Sequence, residues 1–263
     1  VPFTLVHPAA VLPLSRGPLV ASALVCGAMA PDLPYYVSLQ WIGGDYNLTL
    51  THDSTSLLWL DPAIGLVLFA VFHALVRRPT LALLPRAAAA RMRWTHLRGA
   101  RSLPALACWV VVSLVIGAAT HLAWDALTDA LGYAHSRELN LLSDAVGVLA
   151  IAVWARGWWR TKTPGPVPPG ALLPPRTRAA ILAVSVLVTL VWSLGRAWVV
   201  AAQASEDLRS YGGWSRSAVA EYAARELVAQ AGVSLGVLLV AYAVVWQVAR
   251  LLRNRAADVT AGG

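Results

Sequence analysis

Five apolar runs, at residues 56–76, 103–127, 141–158, 179–202 and 231–252, are each about as long as a helix must be to cross a hydrocarbon core of roughly 30 Å. Such segments are forced into helices, because lipid offers the backbone no hydrogen-bond partner and only internally bonded structure can cross it. Composition agrees: 58% of the 263 residues are hydrophobic and only 13% are charged, against about 25% in a soluble domain. Disorder, collagen and coiled coil are excluded. Cys26 and Cys108 both lie in apolar stretches, so neither a disulfide framework nor a Cys-rich zinc site is available. Any metal must use His and carboxylate. The fold class expected is an all-α, polytopic transmembrane helical bundle.

The net charge of +8 would suggest nucleic acid in a soluble protein, but in a membrane protein basic residues first report topology. Residues 77–101 hold seven arginines and no acid, and a second block comprises Arg156, Arg160, Lys162, Arg176 and Arg178. Arg250, Arg253 and Arg255 form a third. Asp32, Asp45, Asp53 and Asp61 fall in the segment before the first arginine block, and Glu206, Asp207, Glu221 and Glu226 lie between the last two spans. The positive-inside rule then makes the arginine blocks cytoplasmic and the acidic segments external, with a cytoplasmic C-terminus. The expected contact is the bilayer, with no nucleic acid. Oligomeric state is not encoded in any feature of the sequence.

Residues 8–30 are apolar but interrupted at Pro13 and at Arg16-Gly17-Pro18. They form either a sixth span, making five to six in all, or a broken, re-entrant N-terminal segment covered by protein. The opening residues do not combine a basic region with an apolar run, so no cleavable signal is expected. The prolines at 164, 166, 168, 169, 174 and 175 mark an extended linker. The organisation expected is a membrane domain over 1–162 that carries the His/Asp site, a Pro-rich cytoplasmic linker over 163–178, and a C-terminal transmembrane hairpin with a short tail over 179–263.

Polar residues at membrane depth are functional candidates. His121 and Asp125 are four residues apart in the outer half of a span, which stacks them on one helical face. Such a pair can ligate one metal ion without backbone rearrangement, or can cement two helices by a hydrogen bond. Asp32, held between Pro31 and Pro34, is aimed by a rigid turn. His52, in Thr-His-Asp-Ser, immediately precedes a span on the same side. Two His and two Asp at one level suit a divalent ion: zinc first, then manganese or iron. His135, in an outer loop, is a candidate substrate-binding residue. Arg196 falls within a span, where it either snorkels or binds an anion. No nucleophile elbow, P-loop or dinucleotide fingerprint is present.

The order Pro-Phe-Thr-Leu-Val-His7-Pro, Ala-Pro-Asp32, Thr-His52-Asp-Ser and His121-Leu-Ala-Trp-Asp125 resembles a bacterial membrane-protein family of unknown function whose members begin Pro-Phe-Thr-x-x-His-Pro. It is also similar to the LexA-regulated, inner-membrane metal-dependent hydrolases and, more remotely, to zinc-dependent phospholipase C. The match covers about the first 150 residues. The resemblance implies that His7 joins Asp32, His52, His121 and Asp125 as a metal ligand, and it implies a multi-pass protein of the inner membrane. Asp129 stands where a His is expected in the nearer family, and the stretch around Asn140 lacks an expected Gln. The function expected is a metal-dependent hydrolase cleaving a phosphoester or related bond of a lipid-like or lipid-linked substrate at the outer interface. Asp129 or Asp53 would serve as general base, and Arg196 would pair with phosphate. The alternative is a non-enzymatic carrier or scaffold whose His-Asp pairs relay protons or lock helices.

Overall fold

The computed structural model describes residues 6–15, 17–37, 48–92, 102–131 and 136–261, and every regular element among them is helical. The order is α1 (Pro8–Val11), α2 (Ala21–Met29), α3 (Leu33–Tyr36), α4 (Leu48–Thr51), a 3₁₀ turn (Ser54–Leu58), α5 (Leu60–Val71), a π turn (Phe72–Val76) and α6 (Arg77–Leu83). Then come α7 (Arg86–Ala89), α8 (Leu103–Ala130), α9 (Ser136–Thr161), α10 (Pro175–Ser210) and α11 (Arg216–Ala261). Four stretches among the described residues are long and apolar enough to cross a membrane: Leu60–Leu83, Leu103–Ala130, Pro175–Ser210 and Arg216–Arg255. The fifth expected run forms α9. Its 26 residues are diluted by Asp144, Arg156, Arg160 and three tryptophans, which keeps it out of that set.

The chain divides into two compact units, one of Val1–Ala74 and Ala90–Pro166, the other of Leu75–Ala89 and Val167–Gly263. The change at Pro166 falls inside the proline-rich stretch, which carries no helix from 162 to 174.

In the first unit, α2 lies parallel to α8 with a constant offset of 93 residues. Val20 N–H donates to Ser113 Oγ at 2.9 Å, Leu24 meets Gly117, and Ala28 O lies 2.8 Å from His121 Nδ1. The two backbones meet because both helices present glycine at the crossing. A Cβ on Gly117 would run into the Leu24 carbonyl, and one on Gly27 would run into that of Leu114. Close approach of this kind, through small residues, is how helices associate where lipid removes the hydrophobic drive. Gly65 brings α5 against the same point, with Leu114 fully buried among the three helices. The expected break in the N-terminal segment lies between α1 and α2, where Gly17 adopts φ +72°, a conformation that favours glycine. Ser113 supplies, from α8, the acceptor that the first turn of α2 needs.

In the second unit, α10 and α11 form an antiparallel hairpin tied by polar rungs. Thr189 pairs with Ser234 at 3.3 Å, Trp192 Nε1 donates to Gln230 at 2.9 Å, and Arg196 lies 3.5 Å from Glu226. Pro79 in α6 has no N–H, which frees the Leu75 carbonyl one turn earlier. Gln247 of α11 donates to that carbonyl at 3.3 Å, and Tyr242 donates to Pro79 O at 3.1 Å. A backbone group that lipid could not satisfy is thereby satisfied by a neighbouring helix.

Candidate metal centre

The cluster forms at the end of the first unit where α2 and α8 finish and α5 begins. On α8, the i, i+4 spacing sets His121 Nε2 3.3 Å from Asp125 Oδ2. Asp32 follows α2 directly, so the α2–α8 register carries it to the same level, with Oδ1 3.5 Å from His121 Nε2. His52 arrives from the end of α4. Its Nε2 is 3.4 Å from Asp32 Oδ1 and 3.5 Å from Asp125 Oδ2. His7, immediately before α1, stacks on His121 with ring centroids 3.9 Å apart and places Nε2 3.5 Å from Asp125 Oδ1. His7 and Asp32, at the two ends of the broken N-terminal segment, therefore reach one site.

The site is largely buried. His7, Asp32 and His121 are 6%, 0% and 1% exposed, and His52 and Asp125 are partly buried. The five N···O separations of 3.3–3.5 Å lie at the long end of the range for N–H···O contacts. They match the edge of a tetrahedron with bonds of 2.0–2.2 Å, about 3.4 Å. No hydrogen bond reaches either ring nitrogen of His7, Nε2 of His121 or either carboxylate oxygen of Asp125.

Two of the imidazoles are oriented from behind. The Ala28 carbonyl can only accept, so the hydrogen at 2.8 Å is on His121 Nδ1, which leaves Nε2 as the nitrogen that faces the carboxylates and that carries the lone pair whenever the ring is neutral. Thr51 uses its one hydroxyl hydrogen on Pro31 O at 2.8 Å, so its oxygen accepts from His52 Nδ1 at 3.3 Å, and Nε2 again faces inward. Imidazoles that ligate metals are commonly fixed by such an outer partner. The same five residues form two overlapping sets whose ligand atoms lie within 4.8 Å of one another, His7/His121/Asp125 and Asp32/His52/His121.

Behind His52 lies a buried polar group that sequence reasoning did not single out. Ser56 Oγ is 2.6 Å from Asp61 Oδ2 and 2.6 Å from Asp53 O, and Thr51, Ser56 and Asp61 are all fully buried. Asp61 occupies the first turn of α5, where the helix dipole favours a carboxylate. It lies close enough to His52 and His121 to interact electrostatically. Its only sequence signal is an acid opening an apolar run. Tyr35, half exposed on α3, is a second omission. Burial, and then the carboxylates of Asp32 and Asp125, hold its phenol above its usual pKa.

The remaining expected residues lie elsewhere. Asp53 is exposed and caps the 3₁₀ turn, accepting from Thr55 N at 2.8 Å and Thr55 Oγ1 at 2.6 Å. Those two bonds hold its carboxyl below the usual carboxylate range. Asp129 is exposed one turn beyond Asp125. Arg196 belongs to the second unit, where it faces Glu226. His135 lies outside the described residues.

Apolar membrane-length helices and a buried His/Asp cluster at the end of one helical unit define a class: a helical membrane protein with an internal polar site. Within that class the chain belongs to the family described as a domain of unknown function, DUF4184, which matches residues 1–145 and so takes in all five cluster residues. No curated protein and no solved structure matches it.

Proposed function

We propose that Asp32, His52, His121 and Asp125, completed by His7, hold a divalent metal ion, zinc first and manganese or iron next, and that the protein is a membrane hydrolase. The observation that carries this reading is the convergence of three imidazole Nε2 atoms on two buried or part-buried carboxylates at 3.3–3.5 Å, in two overlapping three-residue sets of ligand atoms that lie within 4.8 Å of one another. Charge supports it as well. Two carboxylates in a largely buried site are costly alone, and a divalent cation offsets both. An ion held there supplies Lewis acidity toward a phosphoryl oxygen and acidifies water enough for attack near neutral pH.

The chain's own groups divide the remaining work. Ala28 and Thr51 hold the two imidazoles in the tautomer that presents Nε2. Asp129, exposed and one turn from Asp125, is the better placed of the two expected bases, since Asp53 already accepts two hydrogen bonds. The substrate class is a phosphoester or related bond of a lipid-like molecule. That assignment is supported by the motif resemblance to the LexA-regulated inner-membrane hydrolases and by the cluster's position at the end of apolar helices. With α9 as a fifth crossing and the arginine-rich 77–101 segment inside, the cluster faces the outer interface and the C-terminus is cytoplasmic.

The test is hydrolysis of phosphate-ester lipids by the purified full-length chain. Activity should vanish on chelation, return with zinc or manganese, and be lost in Asp125→Asn. Activity indifferent to chelation would remove the metal from the account. A folded, metal-free chain inert toward every ester would favour the rival reading, in which the His-Asp pairs lock helices or relay protons.

A further inference from the structure

Beside the cluster, and sharing His7 with it, lies a cavity of about 180 Å³ lined by Val6, Ala9, Ala10 and Trp124 and by one face of α9. On α9 the lining residues are Ser143, Val146, Gly147 and Ala150, at the i, i+3, i+4, i+7 spacing of a single helical stripe. The void exists because that stripe and its partners on α1 are mostly small. Its floor is set by Gly147, where any Cβ would run into Val6. The walls offer almost nothing to a polar ligand. Trp124 Nε1 already donates to Ser143 Oγ at 2.9 Å, and the other residues besides His7 are aliphatic. Ala10, Val146 and Ala150 are exposed and mark the mouth. The inner end is the His7 ring, which stacks on His121 and reaches to 3.5 Å from Asp125. Trp124 is the residue before Asp125, so α8 itself joins cavity to cluster.

We infer that this cavity is an alkyl-chain subsite: it takes the first carbons of one chain of the substrate while the ester head group lies at the His/Asp cluster. The inference rests on the hydrolase reading and names the substrate as an ester bearing an unbranched chain close to the bond cleaved. A cavity of 150 Å³ accommodates benzene, so 180 Å³ accommodates about seven carbons. An unbranched alkyl group fits, because away from the His7 ring at the inner end and the Ser143–Trp124 pair the walls are aliphatic.

The experiment is a chain-length series. Binding of n-alkylphosphonates from one to ten carbons is measured by calorimetry on the full-length chain in detergent, with zinc and with chelator, for the natural sequence and for Ala150→Leu. Affinity in zinc should rise about fourfold per methylene up to about seven carbons and then level. Ala150→Leu, which fills the mouth, should bring the break two to three carbons earlier. Ala10→Leu, on the opposite wall, should do the same and guards against a folding defect in the first variant. Zinc-dependent binding with no break, or with a break that neither variant moves, overturns the subsite and leaves the metal reading standing. A break that persists unchanged in chelator, with no zinc-dependent head-group affinity, overturns the hydrolase reading and the subsite with it.

Discussion

Gly117→Ala should uncouple the cluster from the outside, without touching any cluster residue. The methyl added at position 117 would meet the Leu24 carbonyl oxygen and lie 2.8 Å from Ala28 N and 3.0 Å from Gly27 Cα. Those are backbone atoms of α2, so no side chain can rotate away and the two helices must part. Overpacking of this kind costs about 1–3 kcal/mol. Stretching the His121–Ala28 hydrogen bond removes about 0.5–1.5 kcal/mol more, and the better helix propensity of alanine returns about 0.5–1 kcal/mol. The net loss is about 0.5–4 kcal/mol. The same displacement moves Asp32 away from His121 and frees the His121 ring, and loss of such an outer partner typically weakens metal binding about 10–100-fold. The assay is thermal unfolding in detergent together with zinc affinity by competition with a chromogenic chelator. Gly157→Ala in α9 is the control, since a Cβ there meets nothing within 4 Å, and it should leave both quantities unchanged or slightly improved. If Gly117→Ala matches that control, the glycine crossing does not position the cluster and the register argument fails.

Other consequences are accessible to single experiments. Gln247→Leu leaves the Leu75 carbonyl without its donor and should lower unfolding stability by about 1–3 kcal/mol, whereas Gln247→Glu, which can bond there only when protonated, should recover part of the loss at acid pH. Zinc occupancy should fall on acidification, because ligating imidazoles must be neutral. Occupancy flat down to pH 4 would contradict histidine ligation. A cysteine placed at Arg91 should react with impermeant thiol reagents only from the cytoplasmic side. Labelling from outside would invert the topology and put the cluster on the inner face.

The sequence carried some of this arrangement openly. The spacing of His121 and Asp125 was legible because helical periodicity acts over four residues, and Asp32 between two prolines announced a fixed turn. His7 was legible only through resemblance: the interruption at Arg16-Gly17-Pro18 allowed a returning segment, but nothing local says that it lays residue 7 against residue 121. The glycines at 27, 65 and 117 were not legible as a crossing point, because a glycine acquires that role from a partner tens of residues away. Ser56 and Asp61 escaped for a related reason. Their hydrogen bond depends on a 3₁₀ turn that places residue 56 back over the start of α5, which apolar periodicity does not report. Arg196 illustrates the opposite case: its position within an apolar run was evident, while its pairing with Glu226 required the hairpin register.

The central claim is that five residues from four separate segments hold a metal ion. Elemental analysis of the full-length protein, purified without added metal, tests it most directly when the natural sequence is compared with His121→Ala at equal helical content. Near-stoichiometric zinc, manganese or iron in the first and its loss in the second is the predicted result. A well-folded protein with no bound metal, or with equal metal in both, would contradict the account.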